Sequence, residues 1–176
     1  MTAGVILYGA PATGKDTITS ELSQLDSRYR LFQRLKSGPG RTVGYRMIDD
    51  VALDHLRQAG DLVWSNERYG ARYAIDRPGL ASLVTAGLIP VVHAGQPEVI
   101  DAVRTALPEV EWTVVQLQCD EQTATARIVA RETGDVAERL AARSETPTIS
   151  ADLTVHTDSV EPVEAARLIV TAQGCC

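Results

Sequence analysis

GVILYGAPATGKDT, Gly4–Thr17, begins as a short apolar run bounded by glycines, the pattern of a strand buried on both faces. It runs on through Gly9–Lys15 into residues of helical character. Strand, glycine-bearing turn and helix start, in that order, form the context in which a backbone loop grips an anion. Gly9 and Gly14 let the chain curl, and the N–H groups around Ala12 and Thr13 and the helix dipole then point at the anion. Lys15 adds a mobile charge able to follow a phosphoryl group. It is one of two lysines in the chain, the other being Lys36. The next residue is Asp16, where the common form of the loop carries a hydroxyl for magnesium. Asp16 either holds such an ion through water or is a favourable charge in a first helical turn.

Outward from this loop, the chain reads as one α/β domain of 176 residues. Strands are expected at Gly4–Gly9, Tyr29–Leu35, Gly87–Gly95, Glu111–Cys119 and Asp152–Thr157. Helices are expected at Gly14–Leu25, Asp50–Gln58, Pro78–Ala86, Pro97–Ala106, Glu121–Arg131, Val136–Arg143 and Pro162–Thr171. Such alternation predicts a mostly parallel sheet covered by helices. Ligands in these folds sit at the carboxyl ends of the strands, which brings Gly9–Lys15, His93–Gly95 and Asp120 to one crevice.

The net charge of −6 argues against a general nucleic-acid binder, and no apolar run approaches a membrane span. The three cysteines, Cys119, Cys175 and Cys176, form neither a disulfide framework nor a zinc site. The cytoplasm is the expected compartment, and a monomer or homodimer the expected assembly. The charge is uneven, however. Ser27–Ile48 holds six basic residues and no acidic one: Arg28, Arg30, Arg34, Lys36, Arg41 and Arg46. A solvated face is one reading, and an anionic small-molecule ligand the other. Arg127 and Arg131 share a helix face at i,i+4, and Arg139 and Arg143 repeat the spacing after a break at Thr133–Gly134. Alone, that is an exposed charged hairpin. Beside a phosphate loop it is a set of guanidinium forks for a transferring phosphoryl group.

With loop, basic segment and arginine-bearing hairpin in this order, the chain resembles the nucleoside-monophosphate kinase family. GAPATGKDT is similar to the adenylate kinase loop, in which Thr17 takes the threonine position after a non-hydroxyl residue. The guanylate kinase-like branch fits best. GDLVWSNERYGARYA (Gly60–Ala74) lies on its substrate segment, with Tyr73 at the phosphate-binding tyrosine. LVWSNERYGARYAI and VVHAG also resemble ribose 1,5-bisphosphate phosphokinase. The resemblance implies a three-layer P-loop kinase fold. Its core would be 1–28, 87–124 and 145–176, with an acceptor-binding region at 29–76 and a lid at 125–144. It implies ATP on Gly9, Ala12, Thr13, Gly14, Lys15, Asp16 and Thr17, with Arg127 flanking adenine. Mg2+ would be held largely by water and nucleotide, with Asp16 behind one water. Lys15, Arg131 and Arg139 would close over the moving phosphoryl group.

On the acceptor side, the resemblance implies a phosphate held among Arg34, Lys36, Arg41, Tyr45 and Tyr73. The two acids with which guanylate kinases read guanine fall at Trp64 and Gly95, and both are missing. An indole has a donor and a flat face but no acceptor, so guanine would go unpaired. The expected acceptor is therefore a small phosphorylated metabolite, a sugar phosphate or an unusual nucleotide. A guanylate kinase-like enzyme with altered base recognition and an inactive nucleotide-binding module are the alternatives. A hydroxyl acceptor would need a base, for which Glu67, Asp76 and His93 are candidates. His93 ends a central strand, where the preferred reading is a satisfied core histidine.

Overall fold

The computed structural model describes residues 2–68, 70–132 and 134–174. Tyr69, Thr133 and the two terminal cysteines, on which some of the expectations above fall, lie outside them. The chain runs β1 (Thr2–Tyr8), α1 (Lys15–Leu25), β2 (Tyr29–Leu31), β3 (Leu35–Ser37), β4 (Arg46–Met47), α2 (Asp50–Gln58), β5 (Leu62–Arg68) and β6 (Ala71–Asp76). It continues α3 (Arg77–Thr85), β7 (Ile89–Ala94), α4 (Glu98–Ala106), β8 (Val110–Gln118), α5 (Glu121–Ala130), α6 (Val136–Ser144), β9 (Leu153–His156) and α7 (Pro162–Gly174).

The core sheet has the order β2-β7-β1-β8-β9, with every pairing parallel. β1 lies at its centre, with Val5 to Tyr8 fully buried. Its side chains alternate between two apolar layers, as the pleat requires. Val5 and Leu7 pack with Ile18, Leu22, Ala165 and Ile169 of α1 and α7. Ile6 and Tyr8 pack with Val99 and Val103 of α4 and Leu80 of α3. Each fully buried aliphatic side chain stabilises the fold by about 1.5–3 kcal/mol. The result is the three-layer α/β arrangement expected from the alternation.

A second, four-stranded sheet has the order β4-β3-β6-β5. It alters the sequence reading in two ways. Tyr29–Leu35 is not one strand: Tyr29–Leu31 joins the core sheet beside β7, while Leu35–Ser37 crosses to the small sheet. The core sheet thus extends through Leu31. Gly60–Ala74 also contains an antiparallel hairpin, β5 against β6, that the pattern did not announce. Polar residues at Ser65, Asn66, Glu67 and Arg68 hide its alternation.

The small sheet has two unlike faces. Leu35 and Ala74 pack on Leu53 of α2, and Arg72 reaches Asp50 and Asp54 of that helix at 3.1 and 2.7 Å. The opposite face carries Lys36, Tyr73 and Asn66, which are directly registered across β3, β6 and β5. Registered residues share a face, and this face is turned toward the phosphate loop.

Candidate functional site

The loop between β1 and α1 is shaped as its glycines require. A Cβ at Gly9 would stand 2.6 Å from Thr13 Oγ1 and 2.7 Å from the Leu117 carbonyl oxygen. Only glycine fits there. Gly14 sits at φ +93° and caps α1 without a side-chain bond, so the first N–H groups of the helix lack an intrahelical partner and face outward. Ala12 also has positive φ, at 65°. Alternating backbone signs of this kind make a concave nest of N–H groups suited to an anion. Arg127 braces the loop: its guanidinium donates to the Ala12 carbonyl at 3.2 Å and to Thr157 Oγ1 and the Thr157 carbonyl at 3.0 and 2.8 Å.

Lys15 folds back, and its ammonium donates to the Gly9 and Ala10 carbonyls at 2.5 and 2.9 Å. Burial pushes its pKa down to about 8. Asp16 opposes that shift, Arg34 and Arg131 deepen it, and Cys119 opposes it. A lysine depressed by neighbouring cations marks a place where positive charge converges.

A crevice of about 510 Å³ opens from this loop to the small sheet. Among the sequence-predicted residues, it is lined by Gly9, Ala12, Thr13, Gly14, Lys15, Asp16, Arg34, Arg41, Tyr45, Tyr73, His93, Arg131 and Arg139. Thr17, Lys36, Trp64 and Arg127 do not line it. Thr17 is exposed on α1. Arg127 is turned to the loop backbone, as described. Lys36 is 2% exposed, donates to the Arg41 carbonyl at 2.7 Å, and lies 5.5 and 5.6 Å from the Tyr45 and Tyr73 ring centres. It thus stands behind the two tyrosines. Trp64 stands behind Arg34, whose guanidinium sits 5.1 Å from the indole centre. That guanidinium also donates to the His93 carbonyl. Burial lowers its pKa, with Tyr45 acting against the shift, yet a guanidinium stays charged. Neither Arg34 nor Lys36 has a carboxylate partner among the described residues.

The rest of the basic island divides away. Arg28 pairs with Asp26 at the surface, and Arg46 pairs with buried Asp76. Asp76 also caps α3 by accepting from Gly79 N at 2.9 Å, so both its oxygens are engaged. Glu67 is exposed and outside the crevice. Of the three candidate bases, only His93 lines it. Thr19, which the sequence did not single out, holds His93: its hydroxyl lies 2.8 Å from Nε2 and 2.8 Å from the Lys15 carbonyl it donates to. With that proton engaged, Nε2 carries the imidazole hydrogen. Nδ1 is left bare, 3.8 Å from Asp16 Oδ1. Burial, then Lys15, pushes the His93 pKa well below its ordinary value, with Asp16 opposing and Arg34 adding to the fall, so the ring is neutral.

On the lid side, Arg131 reaches Asp16 at 3.8 Å and Arg139 bonds Asp135 at 2.8 Å. Arg143 instead donates to the Cys119 carbonyl and borders a second cavity of about 870 Å³. That cavity lies on the other side of Gly9 and Thr13, between β8 and the segment after α6. Asn66, Arg68 and Gln96 also line the main crevice. Only the folded hairpin and the end of β7 bring them there.

For a metal, the described residues hold no group of three or more His, Cys, Asp or Glu that would ligate one. Asp16, with its side chain 71% exposed beside Lys15, is the carboxylate that would face a metal-bound water. This donor set fits an ion that arrives on a nucleotide with phosphate and water as its main ligands. Among the described residues, no helix is long and apolar enough to cross a membrane.

Strand order, phosphate loop and helical lid together define the fold of P-loop kinases. The model of the AAA_18 family, described as an AAA domain, matches residues 5–149, and the chain belongs to that family. No curated protein matches it in sequence. Among solved structures, it is similar to guanylate kinase from Anaplasma phagocytophilum, with TM-score 0.59 and 12% identity, over 98% of this chain and 85% of that one. It is also similar to a sugar kinase from Janibacter sp. HTCC2649, with TM-score 0.55 and 14% identity, over 99% of this chain and 98% of that one. At these identities, the likeness is one of fold.

Proposed function

We propose that this protein is an ATP-dependent small-molecule kinase that transfers the γ-phosphoryl group of ATP to a small phosphorylated metabolite. The supporting observation is half-buried Arg34 on the crevice wall and buried Lys36 behind its tyrosines, neither with a carboxylate partner among the described residues. Burying unpaired charge is costly, and an anion in the crevice would relieve that cost. The phosphate loop supplies the donor side, with the triphosphate on Gly9–Asp16 and Lys15. The acceptor phosphate lies against Arg34, Tyr45 and Tyr73, with Lys36 adding charge from behind the tyrosines and Arg41 from the rim.

The reaction breaks the bond between the γ-phosphorus and the ADP oxygen and forms one to an acceptor oxygen. Little covalent chemistry falls to the protein, and the work is placement and charge stabilisation. Lys15 moves from the loop carbonyls to the phosphate oxygens. Arg131 and Arg139 close from the lid. Mg2+ bound with ATP would neutralise phosphate charge, and Asp16 is the residue that would orient its water. A phosphate-oxygen acceptor needs no base. A hydroxyl acceptor would need a base, and His93 Nδ1, although bare, would be a weak one because burial and Lys15 hold its pKa well below the ordinary value.

The test is ADP release over a panel of phosphorylated sugars and nucleotides, with ATP saturating. Turnover that requires a phosphate on the acceptor is expected. ATP binding without turnover of any acceptor would favour the inactive nucleotide-binding module instead.

A further inference from the structure

Asn66 is the one residue of the crevice with an unpaired buried acceptor. Its Oδ1 is buried and has no hydrogen-bond partner, the only such side-chain atom among the described residues. A buried acceptor left without a donor costs about 1–3 kcal/mol, so such groups usually have a partner that is absent from the protein alone. The position is not accidental. Asn66 is registered with Tyr73 on the crevice face of the small sheet, and Tyr73 is registered in turn with Lys36. A residue earlier or later on β5, Ser65 or Glu67, falls on the α2 face with Ala74 and Arg72. Asn66 therefore stands in the same row as the charge that is offered to the acceptor phosphate. No carboxylate stands at Gly95, although a Cβ there would meet nothing nearer than the Gly9 carbonyl oxygen at 4.0 Å. Space is not what excludes an acid from that wall.

We infer that Asn66 determines acceptor specificity: its Oδ1 accepts a hydrogen bond from a donor group on the phosphorylated acceptor, a hydroxyl of a sugar phosphate. This rests on the acceptor site proposed above and names what the site reads besides phosphate. A site with a fixed acceptor rejects the analogue that lacks the donor, because the buried oxygen is then left unpaired. A ring N–H of a nucleotide base is the other source of the same bond.

The experiment measures binding, so it does not depend on turnover. Calorimetric titrations compare inorganic phosphate, ribose 5-phosphate, its single-deoxy analogues, and GMP, which carries the same sugar phosphate with a base. Wild type is expected to bind ribose 5-phosphate about 10- to 100-fold more tightly than one of the deoxy analogues. In Asn66→Leu that preference should collapse to about twofold, with inorganic phosphate binding unchanged. Asn66→Asp retains an acceptor oxygen, so it should keep the preference while binding every phosphate more weakly. Loss of the preference in both variants would mean that the amide N–H is the reading group, and would overturn the assignment. So would equal affinity for ribose 5-phosphate and all its deoxy analogues in wild type, or a preference that survives Asn66→Leu. A preference for GMP over ribose 5-phosphate that disappears in Asn66→Leu would transfer the role to a base N–H and overturn the sugar hydroxyl. Failure of every phosphate to bind would instead overturn the acceptor site itself.

Discussion

Lys15 shows how a charge in the loop is kept at the expense of stability. Its ammonium is half-buried near Asp16, Arg34 and Arg131 and donates to loop carbonyls. Its folded pKa, about 8, lies below its unfolded value, so the charged form is disfavoured by folding. That destabilising contribution is fully present below pH 8 and fades as pH rises toward the unfolded value. Lys15→Ala should therefore leave the melting temperature of the ligand-free protein unchanged or raised, while phosphoryl transfer falls by about 10³-fold or more. Thermal melts and ADP release on one preparation test both halves. The same shift links nucleotide binding to protons. Phosphate oxygens favour the charged lysine, so binding above pH 8 must take up a proton. ATP affinity should fall as pH rises through 8, by about tenfold per unit, and Lys15→Ala should abolish this dependence. Titration calorimetry in buffers of different ionisation enthalpy counts the proton directly.

β5 and β6, with the segment before them, convert surface-like residues into one wall of the crevice. Trp64 stands behind Arg34 instead of facing the crevice. Its role is to hold a guanidinium flat, an interaction worth about 0.5–2 kcal/mol. Trp64→Ala should raise the KM for a phosphorylated acceptor by about tenfold, a magnitude within that range. The KM for ATP should not change, as steady-state kinetics with each substrate varied would show. At the next corner, Asp76 joins two elements: it pairs with Arg46 across from β4 and caps α3 through Gly79 N. Asp76→Ala removes a cap and leaves Arg46 unpaired. The expected loss is about 2–3 kcal/mol in urea unfolding, below the value for a fully buried pair because Arg46 is partly exposed. Asp26→Ala breaks a surface pair with Arg28 and one bond from the Arg28 N–H, and should lower the midpoint much less.

Across the whole molecule, the proposed acceptor site lies where two sheets face each other. Trp64 comes from the small sheet, and Gly95 follows β7 of the core sheet. On the resemblance to guanylate kinases, both should be acids that read guanine. Neither side chain can accept the base's N–H groups. GMP should therefore be a poor acceptor, at least about a hundredfold below the best sugar phosphate in kcat/KM. Measured values for GMP, ribose phosphates and other nucleotides decide the matter. Equal efficiency for GMP would mean that another group reads guanine.

What the sequence determined by itself is local and periodic. Gly4–Thr17 states strand, loop and helix in order, because a buried strand, a glycine turn and a helix start each leave a short-range mark. The seven helices lie close to where their patterns put them, and four of the five strands do as well. The loop residues and the i,i+4 arginines follow from the same logic. The tertiary structure decided what depends on long-range register and on which side a charge is turned. Tyr29–Leu35 divides between two sheets because β7 and β6 compete for its edges, which no window of sequence reveals. Lys36 and Trp64 withdraw behind Tyr45, Tyr73 and Arg34, while Arg34 and Arg41, identical in type to Arg28 and Arg30, are brought to the crevice. Asn66 is a polar residue in a polar run until the pairing of β5 with β6 turns it inward. A residue's chemistry is written in its type, but whether that chemistry meets water, a partner or a ligand depends on neighbours that only the folded chain supplies.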